Sequence, residues 1–229
     1  MALDDLLEQN RLWAEGRLAE DPEFFTRHVR SQEPRLLWIG CSDSRVPAEA
    51  ILDCGPGEMF IHRNVANIVA YNDVNIASVI QYAVQYLKVE DIVVCGHYNC
   101  GGVAAACSDD LGQGYVADWL MITTWARRWV DERIEAQGLT PDREEYLRMV
   151  VEENVKLQVS HLAHLTMIRK AWQVRPGLPR LHGWAYDMAT GRIKVLMDSI
   201  DKPILPVQAQ ANASAAAEHD RHAAVGPDD

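Results

Sequence analysis

Three side chains with metal-binding donor atoms stand at the ends of two short apolar runs. Arg35-Leu-Leu-Trp-Ile-Gly40 opens onto Cys41-Ser-Asp-Ser-Arg45, and Ile92-Val-Val-Cys-Gly96 opens onto His97-Tyr-Asn-Cys100-Gly-Gly102. Each run reads as a buried strand. Open α/β sheets place their sites at the carboxyl ends of strands, so Cys41, His97 and Cys100 can converge on one point. Two cysteines and a histidine form a zinc ligand set, and three protein ligands leave a fourth position open, as in catalytic rather than structural zinc sites. Asp43 and Arg45 follow directly after Cys41. A carboxylate so placed can bind a metal, orient its water or accept a proton, and an Arg beside it can hold it ionised and aimed. An ion pair that only stabilises the loop is the plainer alternative. Gly101 and Gly102 let the chain turn tightly and start a helix, with backbone N–H groups near the site.

The elements that must position these residues follow from periodicity. Residues 2–17 and 21–30 predict two amphipathic helices, the second starting at Asp21-Pro22 with Pro in its first turn. Strands are predicted over 35–40, 58–62 and 91–96. Helices are predicted near 47–53, 73–87, 101–107, 117–137 and 142–170, with Gly138-Leu-Thr-Pro141 separating the last two. Residues 180–187 and 192–198, joined across Ala189-Thr-Gly191, predict a hairpin at the sheet edge. Alternation of strand and helix implies a parallel core with right-handed crossovers. The expected architecture is α/β: a mostly parallel central sheet of four strands plus an antiparallel edge strand, flanked by helices. An N-terminal helical arm covers 1–33, the catalytic domain 34–205, and a Gln/Ala-rich tail 206–229 reads as mobile.

Composition narrows the function. The 229 residues suit one large α/β domain, and 48% hydrophobic with 24% charged content is ordinary for a globular chain. A net charge of −11 argues against a nucleic-acid surface and fits a small substrate. No stretch reaches the roughly 18 apolar residues of a membrane helix, so no membrane insertion is expected. The acidic, amphipathic N-terminus does not read as a signal peptide, and a cytoplasmic location is expected. Five cysteines, an odd number, argue against a disulfide framework. Cys54, Cys95 and Cys107 read as small buried hydrophobes. His161 and His164 lie three apart on a predicted helix with no acidic or Cys partner nearby, and read as surface or core histidines.

Cys41-Ser-Asp-Ser-Arg45 followed by Gly96-His-Tyr-Asn-Cys-Gly-Gly102 resembles the β-class carbonic anhydrases. The resemblance continues through Leu37 to Glu49, Gly57 to Asn67, Ser78 to Val84 and Leu181 to Asp187, and covers roughly residues 1–200. It implies zinc-dependent reversible hydration of CO2 to bicarbonate and a proton through zinc-bound hydroxide, with one Zn²⁺ per chain on Cys41, His97 and Cys100. It makes Asp43 and Arg45 the catalytic dyad, Asp43 ligating zinc instead in a closed state. It places Gln32, Phe60, Val65, Tyr82 and the Gly101 amide in a substrate cleft shared between subunits of a homo-oligomer, a dimer or tetramer. From the residues alone, Phe60, Val65 and Tyr82 read as core and Gln32 as a surface polar. In one branch of the family a bicarbonate at a second, non-catalytic site is bound by residues matching Trp38, Arg63 and Tyr186, with inhibition by bicarbonate and low pH. Two rival readings accompany this one: hydrolysis of carbonyl sulfide or carbon disulfide by the same chemistry, and a non-catalytic bicarbonate-binding or assembly protein. The presence of both Asp43 and Arg45 argues against the second.

Overall fold

The computed structural model describes residues 3–203. The chain runs α1 (Leu3–Glu20), α2 (Phe24–Arg30), β1 (Leu36–Cys41), α3 (Ala48–Leu52), β2 (Met59–Asn64), a 3₁₀ turn (Val65–Asn67) and α4 (Val74–Gln81). It continues through β3 (Asp91–His97), α5 (Gly101–Ala106), α6 (Tyr115–Leu120), α7 (Thr124–Gln137), α8 (Arg143–His164), α9 (Thr166–Val174), β4 (Arg180–Asp187) and β5 (Arg192–Ile200). The strands form one sheet in the order β2-β1-β3-β4-β5. The first four are parallel, and β5 pairs antiparallel with β4 as the edge. This is the expected architecture. The anticipated tail, 206–229, lies outside the described residues.

Alternation along the strands sorts the two faces. Leu37, Ile39, Ile92, Val94 and Leu181 share one face and form the main core with α4, α8 and α9. Two glycines bring α8 down onto that face. A Cβ at Gly96 would stand 2.7 Å from Val155, and one at Gly183 3.0 Å from the same side chain. The other face carries Trp38, Val93 and Cys95 under Ala48, with Trp184 and Tyr186 at its margin. Burial pushes the Cys95 thiol up, so it stays protonated and inert.

Several boundaries differ from the expected ones. The helix predicted at 117–137 is broken between α6 and α7, and that predicted at 142–170 is broken at Leu165, whose ψ of 132° leaves the helical region. The helix predicted over 73–87 changes pitch at Tyr82, and Tyr82–Leu87 is a π-helical segment. The second helix starts at Phe24, after Asp21-Pro22 rather than with it. Cys54 is half-buried, not a core residue.

The arm buries none of its residues in α1 or α2 against its own domain. Leu3, Leu7 and Trp13 stay exposed, and Trp13 packs only edge-on against Phe24 and Phe25. No helix among the described residues is long and apolar enough to cross a membrane.

Candidate metal centre and active site

Parallel pairing of β1 with β3 sets Gly40 opposite Cys95, so the chain ends of both strands emerge side by side. Cys41, His97 and Cys100 are all buried there, and their donor atoms lie within 4.8 Å of one another. Among the described residues this is the one cluster of His, Cys, Asp and Glu spaced to hold a metal.

The donors fit zinc on three counts. The His97 ring donates from Nδ1 to the Tyr98 carbonyl at 3.0 Å, which makes Nε2 the lone-pair nitrogen. That Nε2 is buried and has no hydrogen-bond partner, an arrangement that costs free energy unless something accepts the lone pair. The two sulfurs stand 3.9 Å apart. A disulfide needs about 2.05 Å, whereas two thiolates sharing a tetrahedral zinc at about 2.3 Å each stand about 3.8 Å apart. Finally, behind the larger effect of the contact between the two sulfurs, backbone N–H groups help to lower both thiols, those of Asp43 and Ala66 at Cys41 and those of Val103 and Gly102 at Cys100. The contact with Cys100 pulls the Cys41 thiol down, and the same contact together with burial pushes Cys100 up. A divalent cation between them lets both be thiolates.

Asp43 and Arg45 form a bidentate pair, Nε to Oδ1 at 2.9 Å and Nη2 to Oδ2 at 2.7 Å. The Arg45 backbone N–H also donates to Oδ1, at 3.0 Å, and Nη2 reaches the Asn99 carbonyl at 3.2 Å. The guanidinium therefore ties the carboxylate to the second ligand loop as well as its own. The Arg45 contacts hold the Asp43 carboxyl well below the usual carboxylate range, against a smaller opposing effect of burial. Asp43 Oδ2 lies 3.8 Å from His97 Nε2, at the rim of the donor cluster.

The Gly pair works differently from the sequence expectation. The left-handed turn before Cys100 is made by Asn99, with φ 59°, and neither Gly101 nor Gly102 has a positive φ. Gly102 is required by close approach: a Cβ there would stand 3.0 Å from Val65 and 3.2 Å from Ala66. Around Gly101 there is open space.

Beside the ligand loops lies an open cleft of about 1130 Å³, lined by Ser42, Asn64, Val65, Tyr115 and Trp119. Val65 and Tyr82 are more than one-third exposed, not core as their apolar pattern suggested. Phe60 is half-buried and stacks on Tyr82, with ring centroids 5.7 Å apart. Gln32 lines a separate groove with Arg27, His28 and Glu58, so one protomer does not bring it to this cleft. Trp38, Arg63 and Tyr186 lie on one sheet face. The Trp38 indole covers Gly40, which pairs in register with Arg63, and Tyr186 pairs with His97. The Arg63 guanidinium donates to the carbonyls of Cys41 (2.8 Å) and Asp43 (2.5 Å), a role its sequence context did not suggest. Trp119 was also missed: its indole N–H donates to the Val65 carbonyl at 2.8 Å. His161 and His164 bond to backbone carbonyls of Val69 and Ser160, as ordinary half-buried histidines do.

Comparison with known proteins agrees with this geometry. A family model described as carbonic anhydrase matches residues 36–193. A carbonic anhydrase of Emericella nidulans is 41% identical over 201 residues, covering 87% of this chain and 85% of its own length. One of Pseudomonas aeruginosa is 36% identical over 181 residues, covering 76% of this chain and 78% of its own. Among solved structures, a tetrameric β-carbonic anhydrase of Sordaria macrospora superposes with a TM-score of 0.79 at 40% identity, covering 85% of this chain and 96% of that one. A Coccomyxa β-carbonic anhydrase in complex with acetazolamide gives 0.81 at 32% identity, covering 93% and 98%. With a family model over residues 36–193, a relative 41% identical across most of both chains and β-class structures that superpose on the four-plus-one sheet, the chain belongs to the β-class carbonic anhydrase family of enzymes.

Proposed function

We propose that the protein hydrates CO2 reversibly to bicarbonate and a proton, with zinc held by Cys41, His97 and Cys100. The observation that carries this reading is the unpartnered, buried Nε2 of His97 beside two sulfurs and an Arg-held carboxylate. Bound there, zinc supplies the Lewis acidity that makes hydroxide available near neutral pH. The chain's own residues do the rest. Asp43 Oδ2 accepts a hydrogen bond from the attacking oxygen and so fixes the direction of its lone pair. Arg45 keeps that carboxylate ionised, and the Asn99 carbonyl keeps Arg45 from swinging away. CO2 is apolar with two weak acceptor oxygens, so it needs an apolar wall and one or two donors. Val65, Phe60 and Tyr82 serve as wall, and the Gly101 N–H and Gln32 as donors. Stopped-flow measurement of CO2 hydration, with carbonyl sulfide hydrolysis assayed in parallel, tests the assignment. The expected result is fast CO2 hydration and a far slower reaction with the sulfur analogue. The reverse preference, or no turnover of CO2 by zinc-loaded protein, would overturn it.

The cleft is proposed to be shared within a homo-oligomer, a dimer or tetramer. Three observations support this: the apolar residues α1 leaves exposed, the separation of Gln32 from the cleft, and the tetrameric state of the Sordaria relative. Sedimentation should give an even number of chains at assay concentration. A fully active monomer would sink the shared cleft.

Trp38, Arg63 and Tyr186 are proposed to bind bicarbonate and lower activity. Their types suit it: a guanidinium for charge, an indole N–H and a phenol as donors. The Arg63 bonds to the carbonyls of Cys41 and Asp43 give such a ligand a route to the loop, because an anion competes for the same N–H groups. Bicarbonate must bind the less active arrangement better, and low pH should favour that arrangement as well. Wild type should lose activity with added bicarbonate at low pH, and Arg63→Ala should lose much less. Equal inhibition of both, after correction for product inhibition, would reject the second site.

A further inference from the structure

The turn that follows β2 touches both ligand loops. Ala66 shares a buried cluster with Cys41 and Cys100, and its Cβ side, with Val65, packs against Gly102 behind Cys100. Its backbone is strained: Ala66 has φ 62° and Asn67 φ 47°, consecutive left-handed residues without a glycine. Such a turn persists only where its surroundings over-determine it. Here they come from α8 and α6. Asn154 Nδ2 donates to the Ala66 carbonyl at 3.0 Å, and Gln158 Oε1 accepts from the Val69 N–H at 2.9 Å. Gln158 Nε2 donates to Asn154 Oδ1 at 2.9 Å, so the two amides lock each other. Their orientations are dictated by the backbone groups they meet, one an acceptor and one a donor. Both side chains are fully buried. His161, one further turn along α8, donates to the Val69 carbonyl at 2.8 Å, and Trp119 holds the Val65 carbonyl from α6.

We infer that Asn154 and Gln158 are positioning residues of the metal centre. From α8 they hold the 65–69 turn in the buried cluster it shares with Cys41 and Cys100, packed on Gly102. A buried amide pair is costly unless its polar atoms are used. Here the use is to fix a turn that packs against both ligand loops. A turn fixed in this way keeps the Cys41 and Cys100 sulfurs at their spacing, so this pair sets how well the two meet one cation. The inference rests on the proposed metal site.

The test uses cobalt(II) as a spectroscopic probe in the full chain. Gln158→Met and Asn154→Leu approximate the side-chain shape while removing the hydrogen bonds. In both, the thiolate-to-cobalt charge-transfer band should shift, and cobalt affinity by competition should fall about 10–100-fold as the ligand loops lose their support, the usual effect of losing an outer partner. Gln158→Glu, which keeps the acceptor for the Val69 N–H, should recover part of both. Without metal, deuterium uptake of the peptide spanning 64–70 should speed up while the sheet peptides stay protected. Should a core variant fail to fold, Trp119→Phe releases the same turn from outside the core and should show the same band movement. A normal wild-type band superimposed on those of the folded variants, with unchanged affinity, overturns the positioning role alone. A wild-type protein with no thiolate–cobalt band overturns the metal reading and this inference with it.

Discussion

Cys41→Ser and His97→Ala should each take the protein from one zinc per chain to almost none, and CO2 hydration should vanish with it. Serine replaces a thiolate by a neutral hydroxyl of similar size, so the site loses one of the two negative charges that balance a divalent cation. Alanine removes the one nitrogen whose lone pair faces the two sulfurs. Loss of an outer-sphere partner alone costs about 10–100-fold in metal affinity. Loss of a direct donor should exceed that, beyond what a brief dialysis against chelator can retain. The fold should survive, because the main core lies on the sheet face under α4, α8 and α9 and includes none of the three ligands. Elemental analysis alongside circular dichroism separates metal loss from unfolding. Both variants keeping full zinc and full activity would remove the site from these three residues.

The parts of the fold that could be read in advance were those written as local pattern. β1 and β3 are continuous apolar runs ending at a glycine next to a donor residue, and such a run has few other uses than a strand buried on both faces. The β4–β5 hairpin carries its turn signal in Ala189-Thr-Gly191, and Gly191 takes the positive φ. The helix breaks at 121–123 and at Leu165 have no glycine or proline to announce them. They arise where tertiary contacts win over helix propensity. Val65 and Tyr82 look like core residues because apolar spacing reports that a side chain is meant to be covered, not by which chain. The Gly101-Gly102 pair was legible as important but not for the right reason: Asn99 makes the turn, and Gly102 answers to neighbours 36 and 37 positions earlier (102 − 66 and 102 − 65), Ala66 and Val65. Asn154, Gln158 and His161 did leave a trace, since they keep helical spacing on a buried face where polar residues have no business without partners. What no pattern could show was that their partners are the backbone groups of 66 and 69.

Asp43→Asn should lower kcat/KM for CO2 by at least about 10²-fold while zinc stays bound, within the range for losing an acid–base or orienting group. The asparagine keeps the shape but turns one oxygen into an N–H₂, which faces the Arg45 guanidinium donor to donor and breaks one arm of the bidentate pair. Arg45→Ala should cost a similar factor by the opposite route, leaving the carboxylate in place but free to rotate. The two are told apart by pH. In wild type the Arg45 contacts hold the Asp43 carboxyl below the ordinary carboxylate value of about 3.9. A depressed folded-state pKa contributes stability that is fully present above the unfolded value and is lost as pH falls through the folded value. Asp43 therefore stays ionised through the mildly acidic range, and its own titration should leave no step in the wild-type profile there. Arg45→Ala removes the largest cause of the depression, so the carboxyl should rise towards the ordinary range and an acid limb should appear in its residual activity. Asp43→Asn has no carboxyl to titrate and should show no such limb. Profiles of kcat/KM against pH for the three proteins, with zinc content measured on each, decide the matter. An Asp43→Asn enzyme as fast as wild type at every pH would reduce the pair to a loop-stabilising salt bridge.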